Sequence, residues 1–333
     1  MPTLSSKAGG GGKRRFSRKI VRERTFVYLF LAYPLLLFAV FYVYVNVDSF
    51  VLAFQQVNID STREFVGLSN FKHFLSELFS GEGLIRISFI NSLIIYAVGI
   101  CVSLPLQLLF SYMLFKKCFA HKVIRVLIMM PSIISTFVFC LVFSNFAGSA
   151  LQATMRSLGF ENFPNLMDNS KYVFGTTLFY SIWVSFSTSL IIYPNAMRSI
   201  DPGIYESAQI DGVCTMWQEL RHIILPLIFP TLSTFLVLGF AAMMTDSGAL
   251  VPFFMYSAPA PAYNMGYYLT VQVFSEPNPM KYPGAAAAGM ILTIVIAPLT
   301  ILLRYILDRI DPTGDGTNGN KIKNKKIKIT NSK

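Results

Sequence analysis

Six apolar stretches dominate the chain, at roughly 26–47, 88–115, 123–146, 173–197, 224–245 and 284–307. Each has the about 20 residues that a helix needs to cross about 30 Å of hydrocarbon. Lipid offers no partner to a backbone N–H or C=O, so a spanning segment must satisfy both internally, and open sheet edges are excluded. The composition, 53% hydrophobic and only 14% charged, is far from that of a soluble domain. The expected fold is an all-α polytopic membrane protein with six transmembrane helices. A transmembrane domain over 26–310 is expected between basic tails at 1–25 and 311–333.

Lysine and arginine placement orients the bundle. With the N-terminus in the cytoplasm, 22 of the 28 basic residues fall inside: those of the two tails, Arg304 and Arg309 just before the second tail, Lys116, Lys117, Lys122, Arg125, Arg198 and Arg221. Only Arg63, Lys72, Arg86, Arg156, Lys171 and Lys281 fall outside, so both termini are expected in the cytoplasm of a cell (plasma or inner) membrane. The net charge of +11 does not imply nucleic acid, because the bases concentrate in KRRFSRKIVRER (13–24) and KIKNKKIKI (321–329). Attraction to anionic lipid explains such tails. The first apolar run exceeds a signal-peptide core and lacks an A-x-A-like site after it, so it is expected to remain as a helix.

Catalytic chemistry finds no foothold. Cys101, Cys118, Cys140 and Cys214 show no pairing or metal-ligand spacing and read as packing residues; His73, His121 and His222 are dispersed. GGGGKR at 9–14 lacks the spacing of a phosphate-binding loop and reads as a tail. Ionisable residues within spans are costly and therefore functional suspects, yet the runs carry almost none, and Asp246, at the end of the fifth, reads as interfacial. A non-catalytic protein is expected, and a proton-coupled secondary carrier, which would need ion ligands in broken helices, is disfavoured.

One polar stretch interrupts the apolar half, SIDPGIYESAQIDGVCTMWQELRHIILP at 199–226. Asp201 suits an N-cap with Pro202 at the first helical position, and Gly212 suits the left-handed turn that ends a helix, predicting a helix over about 202–211. Thr215 and Gln218 have capping-box spacing for a second helix, with Trp217, Leu220 and Ile224 on one face. On periodicity alone two readings stand: an amphipathic hairpin on the membrane surface, or a docking element.

Residue identity separates them. E-S-A-Q-I-D-G followed by L-R-H-I-I-L-P, between the fourth and fifth spans, resembles the EAA loop of ABC-importer permeases, whose pattern is E-A-A-x-x-x-G and then I-x-L-P. The I-D-P lead, the Y-E, the D-G turn, M-P-S at 130–132 and Y-P-G-A-A-A-A-G at 282–289 are similar to the carbohydrate-uptake branch, particularly polysaccharide and oligosaccharide permeases. Ser207 and Val213 depart mildly from that pattern, and the resemblance covers roughly 26–310.

The resemblance implies a type I ABC-importer permease-like bundle, half of a pathway for a sugar or oligosaccharide. Its implied partners are a second homologous permease, a cytoplasmic ABC ATPase dimer that holds the ATP and Mg, and an extracellular solute-binding protein. This chain itself would bind no cofactor or metal. Tyr205, Glu206, Ser207, Ala208, Asp211, Gly212, Arg221, Leu225 and Pro226 fall on the implied ATPase-coupling hairpin, with Glu206 as the charged contact and Ala208 allowing close packing.

Substrate contacts are sought on the fourth span, where Thr177, Ser181, Ser185 and Thr188 form one helical stripe. Tyr180 and Trp183 offer aromatic surfaces for sugar rings. The same stripe equally suits close helix packing, and Gln107, Asn91 and Asn145 are weaker candidates of the same kind.

Overall fold

The computed structural model describes residues 18–60, 62–79, 83–119, 121–213, 215–275 and 278–312. Residues 13–17 and 321–329 of the tails assigned to anionic lipid, the GGGGKR segment and Cys214 lie outside these. The chain forms two compact units, residues 1–52 and 53–333. Among the described residues five helices are long and apolar enough to cross a membrane, and six if one bent pair counts as a single span.

The first span is Thr25–Ala53, with a π-helical turn at Phe38–Tyr44. In the second unit a short antiparallel hairpin follows, Gln55–Val57 paired with Arg63–Phe65, which the all-helical expectation did not include. Asn70 fixes it by donating from Nδ2 to the carbonyls of Ala53 (2.9 Å) and Gln55 (2.8 Å). The second span, Leu84–Phe115, carries a π-helical turn at Gly99–Ser103. Pro105 follows that turn and has no N–H to give the carbonyl four residues back, which loosens the helical ladder there.

The third apolar run is not one helix over 123–146. Helix His121–Ile133 ends, Ser135 is extended (φ −53°, ψ 131°), and a second helix runs over Thr136–Ser157. The fourth span, Val173–Arg198, and the sixth, Pro279–Ile310, are single helices. The fifth is bent by 69° between Met216–Leu227 and Phe229–Ala242. Pro230 accounts for the bend: it cannot donate to the carbonyl of Pro226, and its ring crowds that carbonyl.

The fourth span packs against the second and against His121–Ile133, and the sixth against Phe229–Ala242 and Ser69–Phe79. At the end carrying residues 199–226, a buried cluster joins Leu108, Tyr112, Met197, Leu220 and Ile224. At the opposite end, Asn91 donates from Nδ2 to the carbonyls of Pro261 (2.9 Å) and Tyr263 (2.8 Å), and the Met265 N–H donates to Ser92 Oγ (2.9 Å). These bonds pin the turn before helix Met265–Phe274 onto the second span. Gly266 permits a close approach there: a Cβ would lie 2.4 Å from the Asp246 carbonyl carbon and oxygen. Of the described cysteines, Cys140 is buried, Cys118 is half-buried and Cys101 is exposed, so packing explains the first better than the last.

Candidate functional site

The 199–226 segment is a helical hairpin built by local capping. Asp201 Oδ1 accepts from the Gly203 N–H at 2.9 Å, and helix Pro202–Ile210 begins at the proline. Gly212 ends it at φ 91°, with the Gly212 N–H donating to Gln209 O and the Val213 N–H to Ala208 O at 3.0 Å. This is the paired bonding of a Schellman turn, in which a left-handed residue closes the last carbonyls. Thr215 and Gln218 form a capping box at the start of the next helix, Met216–Glu219. A π-helical turn at Leu220–Ile224 then leads into the bent fifth span.

One face of this hairpin is held by the bundle and the other is free. Leu220 and Ile224 are buried, Leu225 and Tyr205 pack on the same cluster, and Tyr205 donates its hydroxyl to Met197 O at 3.2 Å. Glu206, Asp211, Gly212 and Arg221 are exposed, Ala208 and Pro226 are half-buried, and Ser207, also exposed, donates Oγ to Gly203 O of its own helix at 2.6 Å. Trp217, expected on the packed face, is 65% exposed.

Two residues that sequence reasoning passed over hold the hairpin in place. Lys116, at the end of the second span, lies 2.7 Å from a Glu219 carboxylate oxygen and 5.8 Å from the Tyr205 ring centre. Burial, and next the nearby Glu219 carboxylate, push the Tyr205 hydroxyl up to about 12, so it stays a neutral donor. The only signal available was a basic residue just past a span, which the topology bias absorbed.

The second feature is a cavity of about 500 Å³ between the second, fourth and fifth spans. Thr177, Ser181, Ser185 and Thr188 all line it, as do Tyr96, Tyr193 and Phe235. Gln107, 7% exposed, joins the second and fourth spans: Nε2 donates to Ser103 Oγ (2.7 Å) and Ser185 Oγ (2.8 Å), and Ser189 Oγ donates to its Oε1 (2.7 Å). Asp246 and Asn264 line the cavity near the end opposite the hairpin.

The structure puts the two expected aromatic surfaces elsewhere. Tyr180 is buried against Phe143 and Phe253 and takes a bond from Cys140 Sγ (3.1 Å), and Trp183 lines a separate, wholly apolar groove. Each helical residue turns about 100°, so positions 180 and 183 face the third span rather than the 177–181–185–188 stripe. Asn145 bonds only Leu141 O in its own helix at 3.0 Å.

Comparison with known proteins identifies the family and the fold. The model of the family described as "Binding-protein-dependent transport system inner membrane component" matches residues 107–313. The chain is 26% identical over 286 residues to the arabinooligosaccharides transport system permease protein AraP of Bacillus subtilis, covering 83% of this chain and 86% of that one. It is 27% identical over 288 residues to the inner membrane ABC transporter permease protein YcjO of Escherichia coli, covering 85% and 94%. A solved bacterial ABC transporter involved in import of the acidic polysaccharide alginate shares the fold, with TM-score 0.71, 21% identity, and 88% and 98% coverage. Six spans, a capped hairpin before the fifth and the matched family model lead to one assignment: the chain belongs to the family of inner-membrane components of binding-protein-dependent transport systems.

Proposed function

We propose that this permease subunit forms half of a pathway for a sugar or oligosaccharide and takes its driving force from a cytoplasmic ATPase dimer that grips the 202–226 hairpin. The observation that carries the reading is the two-faced hairpin: Tyr205, Leu220 and Ile224 bind it to the second and fourth spans while Glu206 and Gly212 stay exposed. A movement imposed on the free face is thereby transmitted to the helices that wall the cavity.

The remaining parts follow from that arrangement. A second homologous permease supplies the other half of the pathway, an extracellular solute-binding protein delivers the cargo, and ATP with Mg belongs to the ATPase. Both termini sit in the cytoplasm. The hydroxyls of Thr177, Ser181, Ser185 and Thr188 match a hydroxyl-rich solute, and the similarity to an arabinooligosaccharide permease supports the carbohydrate class.

Reconstitution tests the reading. Proteoliposomes holding both permeases and the ATPase, with binding protein and labelled neutral oligosaccharides outside, should accumulate sugar only when ATP is enclosed with the ATPase. Accumulation by this chain without the ATPase would make it a secondary carrier.

A further inference from the structure

We infer that the cavity selects against acidic sugars and carries uncharged saccharides, a conclusion that rests on the saccharide reading above. Among the described residues lining it, Asp246 is the one charged side chain, and Lys, Arg and His are absent from that lining. The internal positions outside the described residues carry no Lys, Arg or His either. Every other polar lining group is a hydroxyl or an amide.

These groups have a definite preference. Asp246 holds Oδ1 on the Gly248 N–H at 2.9 Å, an Asx turn that fixes the carboxylate at the wall. A carboxylate only accepts hydrogen bonds, so it pairs with sugar hydroxyls and repels a uronate. A carboxylate-bearing sugar entering this space would lose water without gaining a cationic partner from this chain's half of the pathway, which raises its cost there. Neutral hydroxyls meet partners on Ser181 and Thr188, and ring faces meet Tyr96 and Tyr193. The likeness of fold to an alginate importer therefore does not extend to the charge of the cargo.

Two measurements on the assembled complex test this. In a cysteine-free background, Ser181→Cys is reacted with cationic and anionic methanethiosulfonates of matched size, each rate divided by that for a free thiol. The cationic reagent should be favoured by about tenfold, and Asp246→Asn should remove most of that preference, since one fixed charge sets the local field. No preference, or an anionic one, overturns the inference. Uptake of a neutral oligosaccharide should exceed that of its C6-carboxylated analogue by at least about tenfold at equal binding-protein occupancy; equal uptake overturns the inference while leaving the saccharide reading intact. Failure of both sugars to enter, with the reagent preference present, overturns the saccharide reading itself and the cargo assigned here with it.

Discussion

Lys116 Nζ lies 2.7 Å from the carboxylate of Glu219, and the same ammonium faces the rings of Tyr205 at 5.8 Å and Tyr112 at 5.9 Å. Lys116 closes the second span, Tyr205 belongs to the first arm of the hairpin and Glu219 to the second. One cation thus fastens both arms to the helix that walls the cavity.

Removing either partner of that pair should loosen the hairpin. For a partly buried ion pair with ring contacts, Lys116→Ala and Glu219→Ala should each cost about 1–3 kcal/mol. A double-mutant cycle in thermal unfolding of the detergent-solubilised protein should give a coupling of at least about 1 kcal/mol, and Lys116→Arg should retain most of it. Additive single effects would show that the pair contributes nothing.

Tyr205 gives a pH signature. Its folded pKa is raised to about 12 from an unfolded value near 10, so the folded state holds the proton longer. Its contribution is fully present below about pH 10 and is lost as pH rises toward 12. Relative to Tyr205→Phe, wild type should lose stability between about pH 10 and 12 and show no Tyr205-dependent change from pH 6 to 9.

Gly266 should tolerate no side chain. An added Cβ would meet backbone atoms of Asp246 at 2.4 Å and Thr245 at 2.6 Å, and backbone cannot rotate away as a side chain can. Gly266→Ala should lower stability by about 2 kcal/mol or more. Gly284→Ala, whose Cβ meets nothing within 4 Å in a helix, should be neutral or stabilising by up to about 1 kcal/mol. Equal melting of the two variants would contradict the packing described here.

The hairpin was legible because its signals act within a few residues: Asp201 caps, Gly212 turns left-handed, and Thr215 with Gln218 boxes the next helix. Trp217 escaped because it sits in the first turn of its helix, ahead of Leu220, where the buried cluster of the bundle ends. The break at Ser135 has no proline or glycine on it, so the third apolar run reads as unbroken. The fourth-span stripe could be drawn from periodicity, but which neighbour Tyr180 and Trp183 face is set by the third span, which no local pattern encodes. Lys116 and Glu219 are distant in sequence, and only the fold brings them together.

Gln107 tests the wall of the cavity. Gln107→Leu removes two side-chain bonds between the second and fourth spans and a third within the second, while Ser185 and Ser189 keep bonds to their own helix, for a loss of about 1–3 kcal/mol. Ser185→Val, by contrast, should cut oligosaccharide uptake more than ATPase association. A parallel loss of both would mean that the stripe serves packing alone.

The account stands on the free face of the hairpin being the ATPase contact, and one measurement addresses it most directly: ATPase co-purification and ATP-driven uptake with Glu206→Lys and Gly212→Val. Reversing a charge engaged in a partner's cleft costs about 2–5 kcal/mol. Valine at φ 91° is strained by about 1–3 kcal/mol, although the surrounding space within this chain is open. Both variants should insert normally, because neither residue lies in a span, yet lose uptake and bind the ATPase at least about tenfold more weakly. Wild-type uptake and ATPase binding in both would contradict the account and leave the hairpin as a surface-lying element.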